Sequence, residues 1–145
     1  MTARKAQPAQ AVTLPSPDYR LLAEFRHQLR VFTAFSETAA RGAGLMPQQH
    51  QALLAIKGFP DGAAPTIGEL AERLVIRHHS AVELVDRLVE ARLVVRYLDS
   101  DDLRRAVLVL TKRAEELLAE LSVAHHEELR RMAPMLRTLL ARLEE

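Results

Sequence analysis

The apolar residues change their period within residues 66–111, and this change constrains the fold more than any other feature of the sequence. Two short segments with helical periodicity are predicted first, over residues 67–74 and from residue 77 or 78 to residue 91. A tight connection joins them, so they form a helix-turn-helix pattern. Residues 93–98 and 106–110 are short β-rich runs on either side of a polar tip, which predicts a hairpin. A helix-turn-helix followed directly by a hairpin predicts a winged helix-turn-helix.

Helical periodicity also marks the segments on either side of this core. One helix is predicted from about Tyr19 to Ala40, a second over residues 47–57, and a long final segment after Thr111 that Pro134 divides into two helices. The first and last helices carry more leucine than the winged part can cover, which favours a homodimer interface over a self-contained monomeric bundle.

The predicted fold class is mainly α with a small two- to three-stranded β-wing, in which the N- and C-terminal helices form a dimerisation lobe beside the winged helix-turn-helix. Residues 1–17, which contain three prolines, are predicted to be a flexible tail. Residues 18–145 are predicted to form a single domain. Within it, residues 18–43 and 112–145 are the dimerisation helices, and residues 45–111 are the winged helix-turn-helix lobe.

Composition excludes several kinds of chemistry. The 145 residues include no cysteine, which excludes disulfides, thiolate metal sites and cysteine nucleophiles. No Gly-rich phosphate loop, triad or metal-ligand spacing is present, so no enzymatic activity, cofactor or metal is expected. The N-terminus lacks a secretory signal and no apolar run is long enough to span a membrane, so we expect a cytoplasmic protein without a membrane partner.

The charge balance argues against binding nucleic acid through bulk positive charge alone. The formal net charge of the chain is +1, and residues 66–111 carry seven arginines against eight acidic residues. A protein that binds DNA mainly through charge is far more basic than this. Any DNA binding must therefore depend on where the charges lie.

Several motifs, taken in order, resemble the MarR family of bacterial transcription regulators. They are TIGELAERL at 66–74, SAVELVDRL at 80–88, DLR at 102–104 and LVLT at 108–111, preceded by GLMPQQ at 44–49. The resemblance implies a homodimer whose recognition helices enter the major groove of double-stranded DNA and whose wings reach the minor groove. It also implies a regulator, more often a repressor than an activator, that responds to a small aromatic or phenolic ligand bound between the two lobes.

The family's oxidant-sensing branch, which uses cysteine, is excluded. The predicted function is therefore that of a sequence-specific DNA-binding transcriptional regulator that acts as a homodimer on a pseudo-palindromic operator. Two positions depart from the family pattern in the recognition helix and just after it: Arg77 replaces the usual Ser or Thr cap, and Arg92 replaces a glycine. A left-handed conformation at Arg92 would cost ~1 kcal/mol.

Candidate DNA contacts follow from the face of the recognition helix that lies opposite its apolar positions, together with the wing. The residues predicted to contact DNA are Arg77, His78, His79, Ser80, Val82, Glu83, Arg104 and Arg105, and Asp102 is predicted to support the wing. Arg104 is the main candidate, because a wing arginine suits the negative potential of a narrow minor groove.

Glu83 has two interpretations. It can accept a hydrogen bond from the N4 amino group of a cytosine, or it can pair with Arg87 one turn later or with Arg77. The ion pair is the favoured interpretation, since a glutamate that faces DNA also repels phosphates.

A ligand site is predicted between the first helix, the second helix and the start of the final helix. The residues that could line it are Tyr19, Arg26, His27, Arg30, Phe35 and His50. His125 lies on the apolar stripe of its helix and is expected to be buried near the dimer contact. A metal site built from scattered histidines is a weaker alternative.

Two other functions stay open. The first is a winged-helix dimer that has lost DNA binding and acts as a protein-interaction or ligand-binding module, which Glu83 and the acidic wing tip favour. The second, more remote, is a metal-dependent enzyme.

Overall fold

The computed structural model describes residues 16–144, with side chains from Tyr19 onward. Residues 1–15 of the predicted tail lie outside the described residues. The elements are α1 (Ser16–Gly42), α2 (Pro47–Lys57), a 3-10 turn (Pro60–Gly62), α3 (Ile67–Leu74), α4 (His78–Glu90), β1 (Val94–Leu98), β2 (Ala106–Leu110) and α5 (Lys112–Ala141). This order confirms the predicted fold class, and α1 begins two residues before the predicted domain boundary.

The core of the winged part forms where the sequence periodicity places it. The apolar side of α4 is buried, and it packs with residues of α2 and α3 in a cluster that also holds Leu93 and Leu108. The buried residues of the three helices in this cluster are Ala52, Leu53, Ile56, Leu70, Leu84, Val85 and Leu88. Burial of a leucine side chain contributes about 1.5–3 kcal/mol, so this cluster fixes the relative positions of the three helices.

Side-chain caps define where two of the helices begin. Thr66 Oγ1 accepts a hydrogen bond from the Glu69 N–H (3.2 Å) and the Glu69 carboxylate accepts one from the Thr66 N–H (3.2 Å), which confirms the predicted capping box of α3. Thr111 Oγ1 accepts from the Ala114 N–H (3.3 Å) at the start of α5. These contacts satisfy amides that have no partner inside their helices.

The wing is a two-stranded antiparallel hairpin. Its register runs from Val94 opposite Leu110 to Leu98 opposite Ala106. A third strand is absent from the sheet of the described residues, but the Leu108 N–H donates to the Pro65 carbonyl (2.8 Å) and joins the hairpin to the segment before α3. The sequence predicts two or three strands, and the structure has two.

Two non-glycine residues adopt the left-handed conformation at helix ends. Val75 ends α3 with φ 56°, and Arg92, which stands where the resemblance leads us to expect a glycine, follows α4 with φ 59°. The Ile76 N–H donates back to the Ala71 carbonyl (3.0 Å), so the strained turn closes the last turn of α3. With this turn, only three residues lie between the end of α3 and the start of α4.

The final segment is one helix, so the prediction that Pro134 divides it is wrong. α5 runs without a break for 30 residues, with Pro134 inside it. A proline removes one backbone N–H, which deprives the carbonyl of Arg130 of its helical partner. Both residues are exposed, so solvent can hydrate this carbonyl and the helix continues.

α1 and α5 pack against each other beside the winged part. The apolar residues of the final segment are only partly covered: Leu118, Leu121, Met132 and Leu139 of α5 are buried, whereas Leu129 and, beyond the end of α5, Leu143 are exposed. Within residues 16–144, no helix combines the length and the apolar character that crossing a bilayer requires.

Candidate nucleic-acid interface

The outward face of α4 carries most of the residues predicted to contact DNA. Because Ala81, Leu84, Val85 and Leu88 point into the core, the opposite side of the helix stays accessible. Arg77, His78, His79 and Glu83 are exposed, and Ser80 and Val82 are half-buried. The face thus presents cations, a carboxylate, a hydroxyl and a methyl-bearing side chain along about two helical turns.

The start of α4 has no side-chain cap. Arg77 occupies the N-cap position with an extended backbone (φ −69°, ψ 150°) and its side chain accepts no hydrogen bond. The first amides of α4 are therefore open to an external acceptor, and the helix dipole adds positive potential at the same place. A phosphate oxygen is the acceptor that such a helix start binds well.

Glu83 has no cationic partner among the described residues. Neither Arg87 nor Arg77 places a nitrogen within 4.0 Å of its carboxylate, so the favoured ion-pair interpretation is wrong for this structure. An exposed pair one helical turn apart gains only about 0.3–0.5 kcal/mol, and ordering two long side chains offsets that gain. The carboxylate is left free at the centre of the outward face.

The wing tip presents Arg104 and orders its backbone through a neighbouring acid. Arg104 is exposed, and its N–H donates to Asp102 Oδ1 (3.0 Å). Asp102 therefore contacts the main chain of the tip and leaves the guanidinium of Arg104 free. The Asp101 N–H likewise donates to Asp99 Oδ1 (2.9 Å), so two Asx turns shape the seven residues between the strands.

Arg105 is engaged inside the molecule. Its Nη2 donates to Glu69 Oε1 (2.5 Å), and its Nε lies 3.8 Å from Asp99 Oδ2. Among the predicted DNA contacts it is the one whose guanidinium already has carboxylate partners. Sequence reasoning missed this pair, because 36 residues separate Arg105 from Glu69 and no local pattern signals the contact.

A second ion pair joins the wing to α4. Arg96 of β1 donates to Asp86 Oδ1. Asp86 lies on the flank of the outward face, and no local sequence pattern pairs it with a residue of the hairpin. The two ion pairs hold the wing to both helices of the helix-turn-helix, β1 to α4 and the tip to α3.

The residues predicted to line a ligand site do not form one pocket. Phe35 and His50 meet at His125, with ring centroids 5.2 Å and 4.8 Å from that imidazole. Arg26 and Arg30 line an open groove along α1 with Leu29, Thr33, Ala34 and Glu37. Tyr19 and His27 are exposed.

The histidine pair lies where α1, α2 and α5 meet. His125 is 8% exposed, as its place on the apolar stripe predicts; its Nδ1 lies 2.7 Å from the Leu121 carbonyl and its Nε2 lies 2.9 Å from Ser36 Oγ. A carbonyl only accepts, so Nδ1 carries a proton and donates to Leu121, while Nε2 shares a hydrogen bond with the serine hydroxyl. Both ring nitrogens of His125 therefore have a hydrogen-bond partner.

His50 has a less satisfied environment. It is 3% exposed, and its Nδ1 has no hydrogen-bond partner among the described residues. Burial, and then the neighbouring His125, lower the pKa of His50, because both oppose a positive charge there. No group of three or more His, Asp or Glu side chains in the described part of the chain is arranged to hold a metal ion.

Comparison with known proteins agrees with the motifs. Residues 43–105 match the model of the MarR family, a segment that contains α2, α3, α4, β1 and the wing tip. No curated protein sequence matches the chain significantly.

Solved structures share the fold over most of the chain. The MepR–DNA complex from Staphylococcus aureus has a TM-score of 0.66 at 18% identity, with 85% of this chain and 93% of that chain covered. The multiple antibiotic-resistance repressor MarR from Listeria monocytogenes has a TM-score of 0.61 at 25% identity, with 86% and 96% covered. AbsC, a MarR-family regulator from Streptomyces coelicolor, has a TM-score of 0.68 at 20% identity, with 82% and 80% covered. The family match over residues 43–105 and the shared fold confirm the resemblance to the MarR family that the sequence motifs indicate.

Proposed function

We propose that this chain is a sequence-specific DNA-binding transcription regulator that acts as a homodimer on a pseudo-palindromic operator. The observation that carries the proposal is the exposed polar face of α4 beside a wing that is anchored to both helices of the helix-turn-helix. A buried or apolar face would have favoured a module that binds proteins. The MepR–DNA complex, which shares this fold, supports DNA as the partner.

Each part of the face has a role that its chemistry suits. Arg77, His78 and His79 contact phosphates at the start of α4, where the open amides add two or three donors. Ser80, Val82 and Glu83 reach base edges in the major groove, through hydrogen bonds or contact with a thymine methyl group. Arg104 enters the adjacent minor groove, where the potential is most negative.

The dimer is supported by apolar residues that the monomer leaves uncovered. Leu22, Phe25 and Leu29 lie along one side of α1 and are 55%, 39% and 43% exposed. Leu140 and Leu143 near the end of the chain are exposed as well. Exposed apolar side chains in a row along one side of a helix favour association. A two-fold axis then places the two recognition helices about one helical turn of DNA apart.

Repression and control by a small molecule complete the proposal. The related Listeria monocytogenes protein is described as a repressor, which supports this direction of control. An aromatic or phenolic effector would act where the winged part meets α1 and α5, near Phe35, His50 and His125. Its binding would change the angle between the lobes and thereby the spacing of the two recognition helices.

The number of unpaired arginines on the proposed interface predicts how the DNA affinity depends on salt. With Arg96 and Arg105 held in ion pairs, Arg77 and Arg104 are the arginines on the proposed interface that are free to meet phosphates. A dimer then makes about four arginine–phosphate contacts, and log K falls with log[salt] with a slope of about −4. A slope of about −9, as for ten phosphate contacts, would show that the charges are placed wrongly.

The test is selection of binding sites from random duplex DNA by the purified protein. We expect enrichment of a two-fold symmetric sequence whose half-sites lie about 10 base pairs apart from centre to centre. Arg104→Ala is expected to weaken binding to that sequence about tenfold. Lys112→Ala, which removes an exposed charge at the opposite end of β2 from the wing tip, is the matched control and should leave the affinity unchanged.

One observation favours the alternative of a dimer without DNA binding. The wing tip carries Asp99, Asp101 and Asp102 beside its arginines, and these carboxylates repel phosphates. If the selected pool shows no enriched sequence at any salt concentration, the DNA-binding proposal is overturned and this alternative stands.

A further inference from the structure

We propose that Arg105 is a positioning residue that docks the wing on the start of α3 and thereby sets where Arg104 lies relative to α4. This inference rests on the proposed function, since it concerns how the wing is presented to DNA. It replaces the sequence-based expectation that Arg105 itself contacts DNA.

A single carboxylate oxygen joins the two elements. Glu69 Oε1 accepts from the Thr66 N–H (3.2 Å), from the Thr66 hydroxyl (3.0 Å) and from Arg105 Nη2 (2.5 Å). The first two contacts cap α3, and the third reaches the residue directly before β2. The atom that fixes the start of the helix-turn-helix therefore also holds the wing.

The main chain of Arg105 closes the tip at the same point. Its N–H donates to the Asp102 carbonyl (3.0 Å), and its carbonyl accepts from the Asp99 N–H (2.8 Å). Arg104 lies inside this closed turn and is bonded to Asp102 through its own N–H. Because Arg105 is bonded both to the turn and to α3, it transmits the position of α3 to Arg104.

Little else orients the tip. The outer side of the hairpin carries Val95, Tyr97 and Val109, which are exposed, so no element of the described chain packs over it. The Arg96–Asp86 pair and the bond from Leu108 to the Pro65 carbonyl hold the body of the hairpin. Beyond Leu98, the Arg105–Glu69 pair is the contact that ties the tip to a helix.

Two roles for Arg105 predict opposite effects of the charge on Glu69. If Arg105 positions the wing, Glu69→Gln weakens DNA binding because the charge-assisted contact to Arg105 is reduced to a weaker hydrogen bond with a neutral amide. If Arg105 contacts a phosphate, the same change strengthens binding, because it releases the guanidinium and removes a negative charge. Glutamine keeps the cap of α3, since its amide oxygen still accepts from the Thr66 N–H.

The experiment measures affinity for the selected operator at fixed salt for the wild type, Glu69→Gln, Arg105→Gln and the double variant. We expect each single change to weaken binding about twofold to fivefold, the range that an exposed ion pair supports. The double variant should bind no more weakly than either single one, because both changes remove the same contact. The salt slope should stay as in the wild type.

Glu72→Gln is the matched control. Glu72 also lies on α3, is exposed and has no ion pair among the described residues, so this variant makes the same charge change without touching the Arg105–Glu69 pair. It should bind as the wild type does or slightly more tightly. Four results would each overturn the inference. They are tighter DNA binding by Glu69→Gln, a loss of affinity in the double variant equal to the product of the two single losses, a salt slope reduced by about one in Arg105→Gln, and unchanged affinity in all variants.

A second measurement needs no DNA and separates this inference from the proposed function. Amide hydrogen exchange of Asp99 and Arg105 in the free protein should be about twofold to fivefold faster in Glu69→Gln than in the wild type, and unchanged in Glu72→Gln. Unchanged amide exchange in Glu69→Gln refutes the role of the Arg105–Glu69 pair in holding the wing. If exchange becomes faster but the wild type selects no DNA sequence, that role stands and the proposed function fails.

Discussion

Acidification should destabilise this protein through His50. The imidazole is 3% exposed, its Nδ1 has no partner among the described residues, and the ring of His125 lies 4.8 Å away. Each of these features favours the neutral form in the folded state, which lowers the pKa of His50 below the value of 6.5 that it has in an unfolded chain. The unfolded state therefore binds more protons than the folded state when the pH falls below 6.5.

The sign and the size of the effect follow from this difference. For a base whose pKa is lowered by folding, stability is complete above the unfolded pKa and is lost as the pH falls toward the folded pKa. One such group changes the free energy of unfolding by at most about 1.4 kcal/mol per pH unit. Between about pH 6.5 and pH 5.5 we therefore expect a loss of up to about 1.4 kcal/mol, or about 3–5 °C in Tm.

Urea unfolding at a fixed protomer concentration measures the effect. Stability is recorded between about pH 7.5 and about pH 5.5 for the wild type and for His50→Phe, which keeps an aromatic ring against His125 but cannot be protonated. The variant should lose less stability than the wild type over this range. It should also be at least as stable at neutral pH, because it removes a buried nitrogen without a partner, which costs about 1–3 kcal/mol.

His126→Gln is the control for this experiment. His126 follows His125 in α5 and is exposed, so its replacement should leave the pH dependence of stability as in the wild type. The reasoning fails if His50→Phe loses stability as steeply as the wild type. It also fails if the wild type becomes more stable on acidification.

Three further predictions concern the surface and the turns. Glu83→Gln should change the selected DNA sequence at one base pair per half-site, from cytosine toward adenine, because an amide pairs with adenine N6 and N7; an identical consensus would show that Glu83 reads no base. Leu29→Glu should shift the protein from dimer toward monomer in sedimentation at micromolar concentration, because it places a charge in the proposed interface. Leu54→Glu on α2 is the control and should leave the dimer intact; equal behaviour of the two variants would contradict the proposed interface. Val75→Gly should raise the free energy of unfolding by about 0.5–1 kcal/mol in urea titration, since Val75 is 89% exposed at φ 56°; a lower stability would mean that the turn is not strained.

The parts of the fold that local chemistry determines could be predicted from the sequence. The capping box of Thr66 and Glu69 marks the start of α3, and the spacing of Leu84, Val85 and Leu88 gives the buried side of α4. Each of these signals lies within about two helical turns, so one sequence is enough to interpret it. The outward face of α4 follows from the same spacing, and the structure leaves it exposed.

Pro134 shows where a local rule is too strict. A proline in the interior of a helix removes a helical hydrogen bond, and this led to the predicted division of the final helix. The cost depends on whether solvent can reach the freed carbonyl and on how well the rest of the helix is held. α5 is held on both sides of the proline by buried residues, Met132 before it and Leu139 after it.

The contacts that shape the candidate site join distant parts of the chain, and no sequence pattern indicates them. His50 and His125 are 75 residues apart and meet only because α2 and α5 pack at the same junction. Glu69 and Arg105 are 36 residues apart. Each of these residues has an ordinary local interpretation, as a core residue, a cap or a surface charge, and only the packing of the elements assigns the partner.

These long-range pairs also bear on the charge balance. Seven arginines against eight acidic residues within residues 66–111 argue against DNA binding only if all the charges act alike. In the structure, Asp86 and Glu69 are paired with Arg96 and Arg105, which leaves five arginines against six acidic residues outside these two pairs, so the net charge of the segment is unchanged and only the placement of its charges can favour DNA. In the proposed complex, the arginines of these two pairs orient the wing instead of contacting phosphate. Arginines held in ion pairs leave few cations for phosphate contacts. The affinity of the proposed complex then depends mainly on base edges and groove shape, which are the features that carry sequence information.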